Sequence, residues 1–205
     1  YGWLSWTKNG ETAGSTGYGC AIEGIEIKLY PKNSADVPET GRSALTREDI
    51  PKIEGQVHVS GDGWKEAQNK GIEAVALSVK SNENQYTGGI EYQAHVQDIG
   101  WQNWTSTGNI AGTTGQGKHI EAMRIKLTGE VAKYADVYYR MHVANFGWLG
   151  WAKNGQDAGT SGYGYQVEAI QIKLVPKNTA APGSTSNAFK KAPPRVENEM
   201  QARAN

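Results

Sequence analysis

Polar and apolar residues alternate strictly in two stretches near the end of the chain. In residues 138–143, apolar side chains at 139, 141 and 143 alternate with Arg140 and His142. In residues 168–174, apolar side chains at 170, 172 and 174 fall on the same side as Glu168. A period of two is typical of a β-strand with one buried face. Both stretches are therefore predicted to be strands.

The segment between these strands is rich in turn residues. Asn154 is followed by Gly155, and Asn9 by Gly10. Because both central residues of a type I′ turn have positive φ, Asn-Gly pairs predict tight turns at these places. No stretch inside the block shows a helical period, and only residues 196–204 predict a short helix.

This strand–turn–strand block recurs along the chain. Residues 2–33 and 147–178 match almost letter for letter without a gap, and residues 90–127 carry a weaker copy. Residues 53–79 keep the same skeleton with a shortened loop, in which Trp64 precedes Glu73 by 9 residues instead of 20. Self-similarity at a fixed period indicates a repeat protein.

The order of the copies favours units of three repeats, because the two end blocks resemble each other more than the copies between them. We predict that residues 1–33 are the last repeat of a preceding, truncated unit and that residues 34–52 are a linker. Residues 53–178 are predicted to form a three-repeat domain, followed by a flexible C-terminal tail at 179–205. The first repeat lacks its opening strand, so we expect the chain to be part of a larger multi-module protein.

A single repeat buries too little to be stable, so three must share one core. The sequence therefore predicts an all-β, pseudo-threefold repeat domain. A β-trefoil-like fold is slightly favoured over a β-prism, and a linear solenoid is disfavoured by the triplet period.

Composition narrows the classes of function. Lys+Arg and Asp+Glu both number 21, and this balance does not favour binding to nucleic acid or to an anionic membrane. No apolar run is long enough for membrane insertion. The single cysteine excludes an intrachain disulfide. The chain has 7 Trp and 10 Tyr but only 2 Phe. Because Trp and Tyr carry a polar group, this excess favours aromatic rings that are partly exposed to solvent, as at binding surfaces.

A histidine recurs six residues before the first tryptophan of three copies. The set is His58, His95 and His142. Three histidines could hold a zinc ion. Their parity, however, places them on the outer face of the strand, so we expect structural anchors that hydrogen-bond to the following loop. We predict no metal and no cofactor.

A glutamate begins the second strand of every copy. The set is Glu23, Glu73, Glu121 and Glu168. Parity predicts that these side chains lie on the core face, where a carboxylate needs partners. We expect them to accept N–H groups from the Gly-rich loop as structural anchors. A catalytic pair is the weaker alternative, because four equivalent copies argue against one specialised site.

Two tryptophans recur as the motif GWxxW. The first of each pair is predicted to be a structural anchor, and the set is Trp3, Trp64, Trp101 and Trp148. The second has polar neighbours and is predicted to be exposed and to bind a ligand, and the set is Trp6, Trp104 and Trp151. An exposed indole offers a flat platform for a sugar ring or a protein hot spot. Asn9 and Asn154 are predicted to add hydrogen bonds to that ligand.

The combined pattern YxxHV, GWxxW, AGTxG and IEAIxIKL resembles the clostridial hydrophobic repeat with a tryptophan, the ChW repeat. The resemblance covers residues 2–29 and 53–174. It implies a secreted or cell-surface-attached protein of a Gram-positive bacterium, built of tandem repeats. It also implies binding of polysaccharide, cell wall or other proteins, and it implies no catalytic residues.

Two functions therefore remain open. The first is a non-catalytic module that binds cell-wall or other polysaccharide through exposed tryptophans. The second is a protein–protein adhesion or scaffold module of a bacterial surface protein. An enzyme is disfavoured because the sequence shows no nucleophile motif, no metal-ligand cluster and no dedicated carboxylate pair.

Overall fold

The structure, a computed structural model, consists of β-strands and one short helix, which confirms the all-β prediction. It describes residues 14–16, 44–46, 50–59, 63–64, 70–80 and 86–194. In chain order the elements are β1 (Gly14–Thr16), β2 (Ala44–Thr46), β3 (Lys52–Val59), β4 (Gly63–Trp64), β5 (Ile72–Lys80), β6 (Gly89–Val96), β7 (Gly100–Trp101), β8 (Thr105–Ser106), β9 (Ile110–Gly112), β10 (Ile120–Thr128), α1 (Val131–Tyr134), β11 (Ala135–Val143), β12 (Gly147–Trp148), β13 (Ala152–Lys153), β14 (Ala158–Ser161), β15 (Val167–Pro176) and β16 (Phe189–Lys191). None of the described helices is long and apolar enough to cross a membrane.

Each repeat builds one sheet on a pair of long antiparallel strands. The pairs are β3 with β5 in repeat 1, β6 with β10 in repeat 2, and β11 with β15 in repeat 3. A short strand that carries the first tryptophan folds back onto the first long strand, so that Trp148 lies opposite His142. The same pairing joins Trp101 to His95 and Trp64 to His58. Repeat 1 therefore keeps the repeat's frame although its loop is shortened.

The core follows the predicted alternation. In β11 the side chains of Tyr139, Met141 and Val143 are fully buried, and they join apolar side chains from the other two sheets in one cluster. The three repeats thus share a core, as the sequence predicts. The pseudo-threefold relation of the three sheets stays a prediction.

The second long strand of each repeat carries a β-bulge at its glutamate. Val96 lies opposite Ile120 and His95 opposite Ala122, which leaves Glu121 as the extra residue. The same shift occurs at Glu73 and Glu168. A bulge inserts one residue and so breaks the alternation of faces. Parity therefore does not decide the face of Glu121 and Glu168, which are the extra residues, although Glu73 and Glu121 are buried, at 2% and 4% exposure.

Neighbouring repeats are joined by exchanged strands. The handover strands, as we name β9 and β14, belong to repeats 2 and 3 but pair with the second long strand of the repeat before. Gly159 in β14 has φ of +117°, and a Cβ there would lie 2.7 Å from Cα of Ala122 and closer still to the carbonyl oxygen of Glu121. Gly112 in β9 lies against repeat 1 in the same way. Only glycine fits where the handover strand crosses the bulge.

A buried tyrosine makes a second link between repeats. The Tyr92 hydroxyl accepts a hydrogen bond from the backbone N–H of Leu77 in repeat 1 (2.9 Å), and it donates to the carbonyl of Asn109. Tyr139 takes the same place in repeat 3 and donates to the carbonyl of Gln156. Burial raises the pKa of Tyr139 far above its ordinary value, so this hydroxyl stays protonated.

The segment predicted as a flexible tail is built into the fold as far as residue 194. Residues 182–191, named the strap, run along repeat 3, and β16 pairs in parallel with β14. The predicted linker likewise contains β2, which pairs with β1 as β16 does with β14, 145 residues further along. Strands β2 and β16 each pair through three backbone residues at the edge of a sheet, and such short pairing requires no apolar pattern. The Pro, Gly and Ser content of the two segments therefore predicted a linker and a tail and gave no sign of either strand.

Candidate functional site

A histidine and a glutamate form a pair on the outer face of repeats 2 and 3. The bulge turns the carboxylate away from the core, and Glu168 Oε2 lies 3.1 Å from Nδ1 of His142, within hydrogen-bond geometry. In repeat 2 the distance from Glu121 Oε2 to Nδ1 of His95 is also 3.1 Å. The histidines are on the predicted face, but their partner is the glutamate and not the following loop. Gln166, which precedes β15, also donates to Glu168 through its side-chain amide (Nε2 to Oε1, 3.2 Å), so in repeat 3 the glutamate is held from the loop as well.

Each histidine also meets the first tryptophan of its repeat edge to face. The ring centroids are 5.3 Å apart for His95 with Trp101 and for His142 with Trp148. This geometry is the favoured one for aromatic pairs. The glutamate thus orients the imidazole, and the imidazole in turn holds one edge of the indole.

An arginine lies over the first tryptophan in both repeats but comes from different strands. In repeat 2 it is Arg124, 4.0 Å from the ring centroid of Trp101. In repeat 3 it is Arg140, 4.8 Å from that of Trp148. Arg124 donates to Gln93 (2.9 Å), and Arg140 donates to Gln171 (2.8 Å), each across the strand pair. The two arginines were not predicted from the sequence. The exchange can nevertheless be seen there, because Gln93 and Arg124 of repeat 2 stand where repeat 3 has Arg140 and Gln171.

The two first tryptophans differ in exposure because a further repeat packs beside only one of them. Trp101 is half-buried, since Arg124 above it is also held by Asp157 from repeat 3. Trp148 lies in the last described repeat and is 40% exposed. Trp148 thus packs against His142 and Arg140 and still presents part of its indole to solvent.

The second tryptophans also differ from each other. Trp104 is 40% exposed, as predicted, whereas Trp151 is 3% exposed. The strap covers Trp151: the backbone N–H of Trp151 donates to the carbonyl of Ser184 (2.9 Å), and Gly183 lies against the indole nitrogen. The prediction that Trp151 is exposed is wrong because the covering residues lie outside the repeat.

Asn154 forms the predicted tight turn, with positive φ at both Asn154 and Gly155. Its side chain, predicted to reach a ligand, is instead used inside the protein. The amide oxygen accepts from the backbone N–H of Val137 (3.0 Å), and the amide nitrogen donates to Asp136 (2.8 Å). These internal hydrogen bonds are enough to explain why an asparagine recurs at this position, and no ligand is needed to explain it.

The carboxylate of Asp136 is fully buried and paired with two cations. Nζ of Lys153 lies 2.7 Å and Nζ of Lys177 lies 3.0 Å from its oxygens. Burial by itself would raise the pKa of Asp136, but the hydrogen bonds from Lys153 and Asn154 and the charge of Lys177 outweigh burial and lower the pKa. This network ties the turn of repeat 3 to the end of β15.

The remaining predicted site residues lie outside the described part of the chain. They are Trp3, Trp6, Asn9 and Glu23, together with the side chains of His58 and Trp64. Within the described ranges, no three His, Cys, Asp or Glu side chains are grouped so that they could hold a metal ion.

The two exposed indoles, Trp104 and Trp148, are therefore the candidate binding residues of the described repeats. Lys126 lies over the ring of Trp104, with its Nζ 4.4 Å from the centroid, and is itself paired with Glu91 at 2.8 Å. Gly155 of the next repeat lies beside the same ring. Both indoles are thus held in place by cations while part of each ring is open to solvent.

Comparison with known proteins identifies the repeat. The model of the ChW family, described as Clostridial hydrophobic W, matches residues 1–31, 95–129 and 142–176. No curated protein and no solved structure matches the chain. The matched ranges contain both exposed indoles, Trp104 and Trp148, and Lys126 over the first of them, whereas Arg140 lies just before the last matched range. The chain therefore belongs to the ChW family and carries its repeat three times in the matched ranges.

Proposed function

We propose that this chain is a non-catalytic, extracellular binding module that recognises cell-wall or other polysaccharide through exposed tryptophans. The observation that carries the proposal is the 40% exposure of Trp104 on a sheet whose other large apolar side chains are mostly buried. An indole exposed to this extent presents apolar surface that a ligand can cover.

The platform at Trp104 is held rigid before a ligand arrives. Lys126 lies over its ring and is fixed by Glu91, while Gly155 limits movement on another side. A preorganised side chain loses little conformational entropy on binding, so more of the contact energy appears as affinity. Sugar recognition by aromatic stacking needs this kind of fixed flat surface.

Exposed polar side chains stand close to the same indole in the sequence. Asn103, Ser106 and Asn109 are exposed, and Asn109 Nδ2 lies 3.2 Å from Ser106 Oγ. Amides and hydroxyls can both donate and accept, which suits the hydroxyl groups of a sugar. Their presence supports a polysaccharide ligand over a purely apolar one.

Repetition suits a polymeric ligand. Repeat 2 offers Trp104 and repeat 3 offers Trp148, so one chain presents two platforms. When both bind one polymer, the second contact is intramolecular, and the effective concentration raises the overall affinity above that of either site.

The proposal is tested by retention on purified Gram-positive cell walls and by titration with soluble polysaccharides. We expect Trp104→Ala and Trp148→Ala each to weaken binding about tenfold, which corresponds to about 1.4 kcal/mol. Ile99→Ala is the matched control, because Ile99 is a 49% exposed apolar residue without an aromatic ring. Unchanged binding by the double tryptophan variant would refute the proposal.

A protein ligand is the second candidate, favoured by the contact between Arg140 and Trp148. Trp and Arg are among the residues most enriched in the energetic centres of protein interfaces. Protease treatment of the cell walls separates the two candidates: a polysaccharide ligand survives it, whereas a surface protein does not.

We also propose that the three sheets are arranged with pseudo-threefold symmetry. Long strands pair only within a repeat, and among the described residues only the short handover strands pair between repeats. One sheet per repeat supports the β-prism alternative more than a trefoil, whose barrel needs long strands paired between repeats.

A further inference from the structure

The outer faces of repeats 2 and 3 each carry an arginine and a lysine over their tryptophans. The lysine of the IKL motif lies over the second tryptophan, with Nζ 4.4 Å from the ring centroid for Lys126 and 5.6 Å for Lys173. The arginine over the first tryptophan is Arg124 in repeat 2 and Arg140 in repeat 3. The two faces therefore share one arrangement of cations on indoles.

In repeat 2 both cations are neutralised by carboxylates of the protein. Nζ of Lys126 lies 2.8 Å from Glu91, which stands opposite it on the neighbouring strand. Arg124 forms an ion pair with Asp157, which reaches it from repeat 3. The positive charge of this face is therefore balanced inside the fold.

In repeat 3 the corresponding carboxylates are missing. Tyr138 lies opposite Lys173, where repeat 2 has Glu91 opposite its lysine. Arg140 donates from its Nε to Gln171, and no residue is described as an acceptor for its two terminal nitrogens. Neither Arg140 nor Lys173 has a carboxylate partner in the described part of the chain.

The residues that follow repeat 3 do not supply the missing charge. From residue 169 to residue 194, where the described chain ends, the sequence contains no Asp or Glu, and this range includes the whole strap. The shortened loop of repeat 1 has lost the segment in which Asp157 lies in repeat 3, so a repeat of that kind placed next would not supply a carboxylate either. The change from Glu91 to Tyr138 lies within the repeat itself.

The acidic side chains that share this face already have partners. Asp136 is fully buried between two lysines, and Glu168 lies 3.1 Å from His142. Their negative charges are thus offset locally. Arg140 and Lys173 are left as the cations that an anionic ligand can neutralise.

The arginine is also presented in a fixed position beside an accessible indole. Its guanidinium carbon lies 4.8 Å from the ring centroids of both Trp148 and Trp151, and Trp148 is 40% exposed. A planar guanidinium matches a carboxylate through two parallel hydrogen bonds. A uronic acid carries its carboxylate at the edge of the sugar ring, so a ring stacked on Trp148 brings this group to Arg140.

We propose that the platform at Trp148 binds an acidic sugar, a uronate of a polysaccharide, and that Arg140 and Lys173 hold its carboxylate. The ligand thus takes the part that Asp157 and Glu91 play in repeat 2. This inference rests on the proposed function and names the ligand class of one of its two platforms. The platform at Trp104, whose lysine is already neutralised, has no such preference.

Titration of the full chain with polygalacturonate and with its fully methyl-esterified form tests the proposal, because the two polymers share a backbone and differ in charge. A second pair of probes is cell-wall polysaccharide before and after reduction of its uronate carboxyl groups. We expect the acidic form to bind about tenfold more tightly than the neutral form in at least one pair, at low ionic strength.

The ratio of the two affinities separates charge recognition from a general loss of the platform. Arg140→Gln introduces the residue that repeat 2 has at this position, and it should bring the ratio close to one. Lys173→Gln should lower the ratio, and Arg140→Lys, which keeps the charge, should retain most of it. The control Lys133→Gln removes the same charge from an exposed position in α1 and should keep the wild-type ratio.

Equal binding of the acidic and neutral forms in both pairs would overturn this inference and leave the proposed function standing. An acid preference that Arg140→Gln does not reduce would also overturn it. If the chain binds none of the four polymers, the inference fails, and retention on whole cell walls still decides the proposed function separately.

Discussion

The substitution Gly159→Ala tests how the repeats are joined. Gly159 lies in the handover strand β14 with φ of +117°, and a new Cβ would lie 2.7 Å from Cα of Ala122. A non-glycine residue in this backbone conformation costs about 1–3 kcal/mol. Forcing one carbon into a packed contact costs a further 1–3 kcal/mol or so. We therefore expect a loss of about 2–6 kcal/mol in the free energy of unfolding.

Gly115→Ala is the matched control for the backbone term. Gly115 also has positive φ, +68°, but a Cβ there would have no atom within 4 Å. We expect the free energy of unfolding of this variant to fall only by the cost of the backbone conformation, about 1–2 kcal/mol. The difference between the two variants then measures the contact between repeats.

Urea unfolding followed by circular dichroism gives both values from the shift in midpoint at constant slope. The handover geometry requires Gly159→Ala to be the more destabilising by at least ~1 kcal/mol, which is the lower end of the overpacking cost. If the two variants lose equal stability, β14 does not cross the bulge of repeat 2 in solution as the structure has it.

Three further predictions concern the buried links in repeat 3. Asp136→Asn should destabilise the chain by about 3 kcal/mol, because it leaves two lysines beside a neutral group. Folding lowers the pKa of Asp136, so the stabilisation by its carboxylate is present above the ordinary carboxylate pKa and is lost as pH falls through the lowered value. Urea unfolding of the wild type should therefore show a loss of stability at acid pH that the variant lacks. Tyr139→Phe should cost about 1 kcal/mol in the same assay, through the lost hydrogen bond to Gln156. Deleting residues 182–205 should uncover Trp151 and shift tryptophan fluorescence to longer wavelength; an unshifted spectrum would contradict the role given to the strap.

Alternation of residue types was enough to predict the long strands. Their apolar side chains at alternate positions of β6 and β11 are all buried, because both strands are regular up to their last residue. The Asn154–Gly155 turn was equally predictable, since positive φ at two successive residues restricts the choice of side chain. The family was predictable from the motif itself, and the match of the ChW model confirms it.

Alternation failed at the bulges because a glutamate there fits the pattern of either face. Glu121 shares the parity of the buried Met123, and only the register of pairing with His95 shows that one residue is extra. The sequence showed a recurrent histidine in the first long strand and a recurrent glutamate in the second, and each was predicted to be a structural anchor by itself. Their contact depends on pairing between strands, which a single strand's pattern does not contain.

Exposure of the tryptophans was not predictable because it depends on segments outside each repeat. Trp104 and Trp151 occupy the same place in the motif, yet the strap covers only Trp151. Trp101 and Trp148 differ because Asp157 of the next repeat holds the arginine over Trp101. A binding residue in such an array is therefore defined by the neighbouring repeat as much as by its own motif.

The same dependence on neighbours bears on the shortened repeat, which is predicted to stand first in a unit of three. Two devices bind each later repeat to the one before it: a handover strand and a tyrosine whose hydroxyl reaches across, such as Tyr92. Repeat 1 has Gly55 in the position of that tyrosine, and its loop has lost the handover segment. Both links to a preceding repeat are therefore missing together, which is what the prediction of a three-repeat unit at residues 53–178 requires. The missing handover segment also agrees with the open edge of β15, which has no second pairing strand among the described residues.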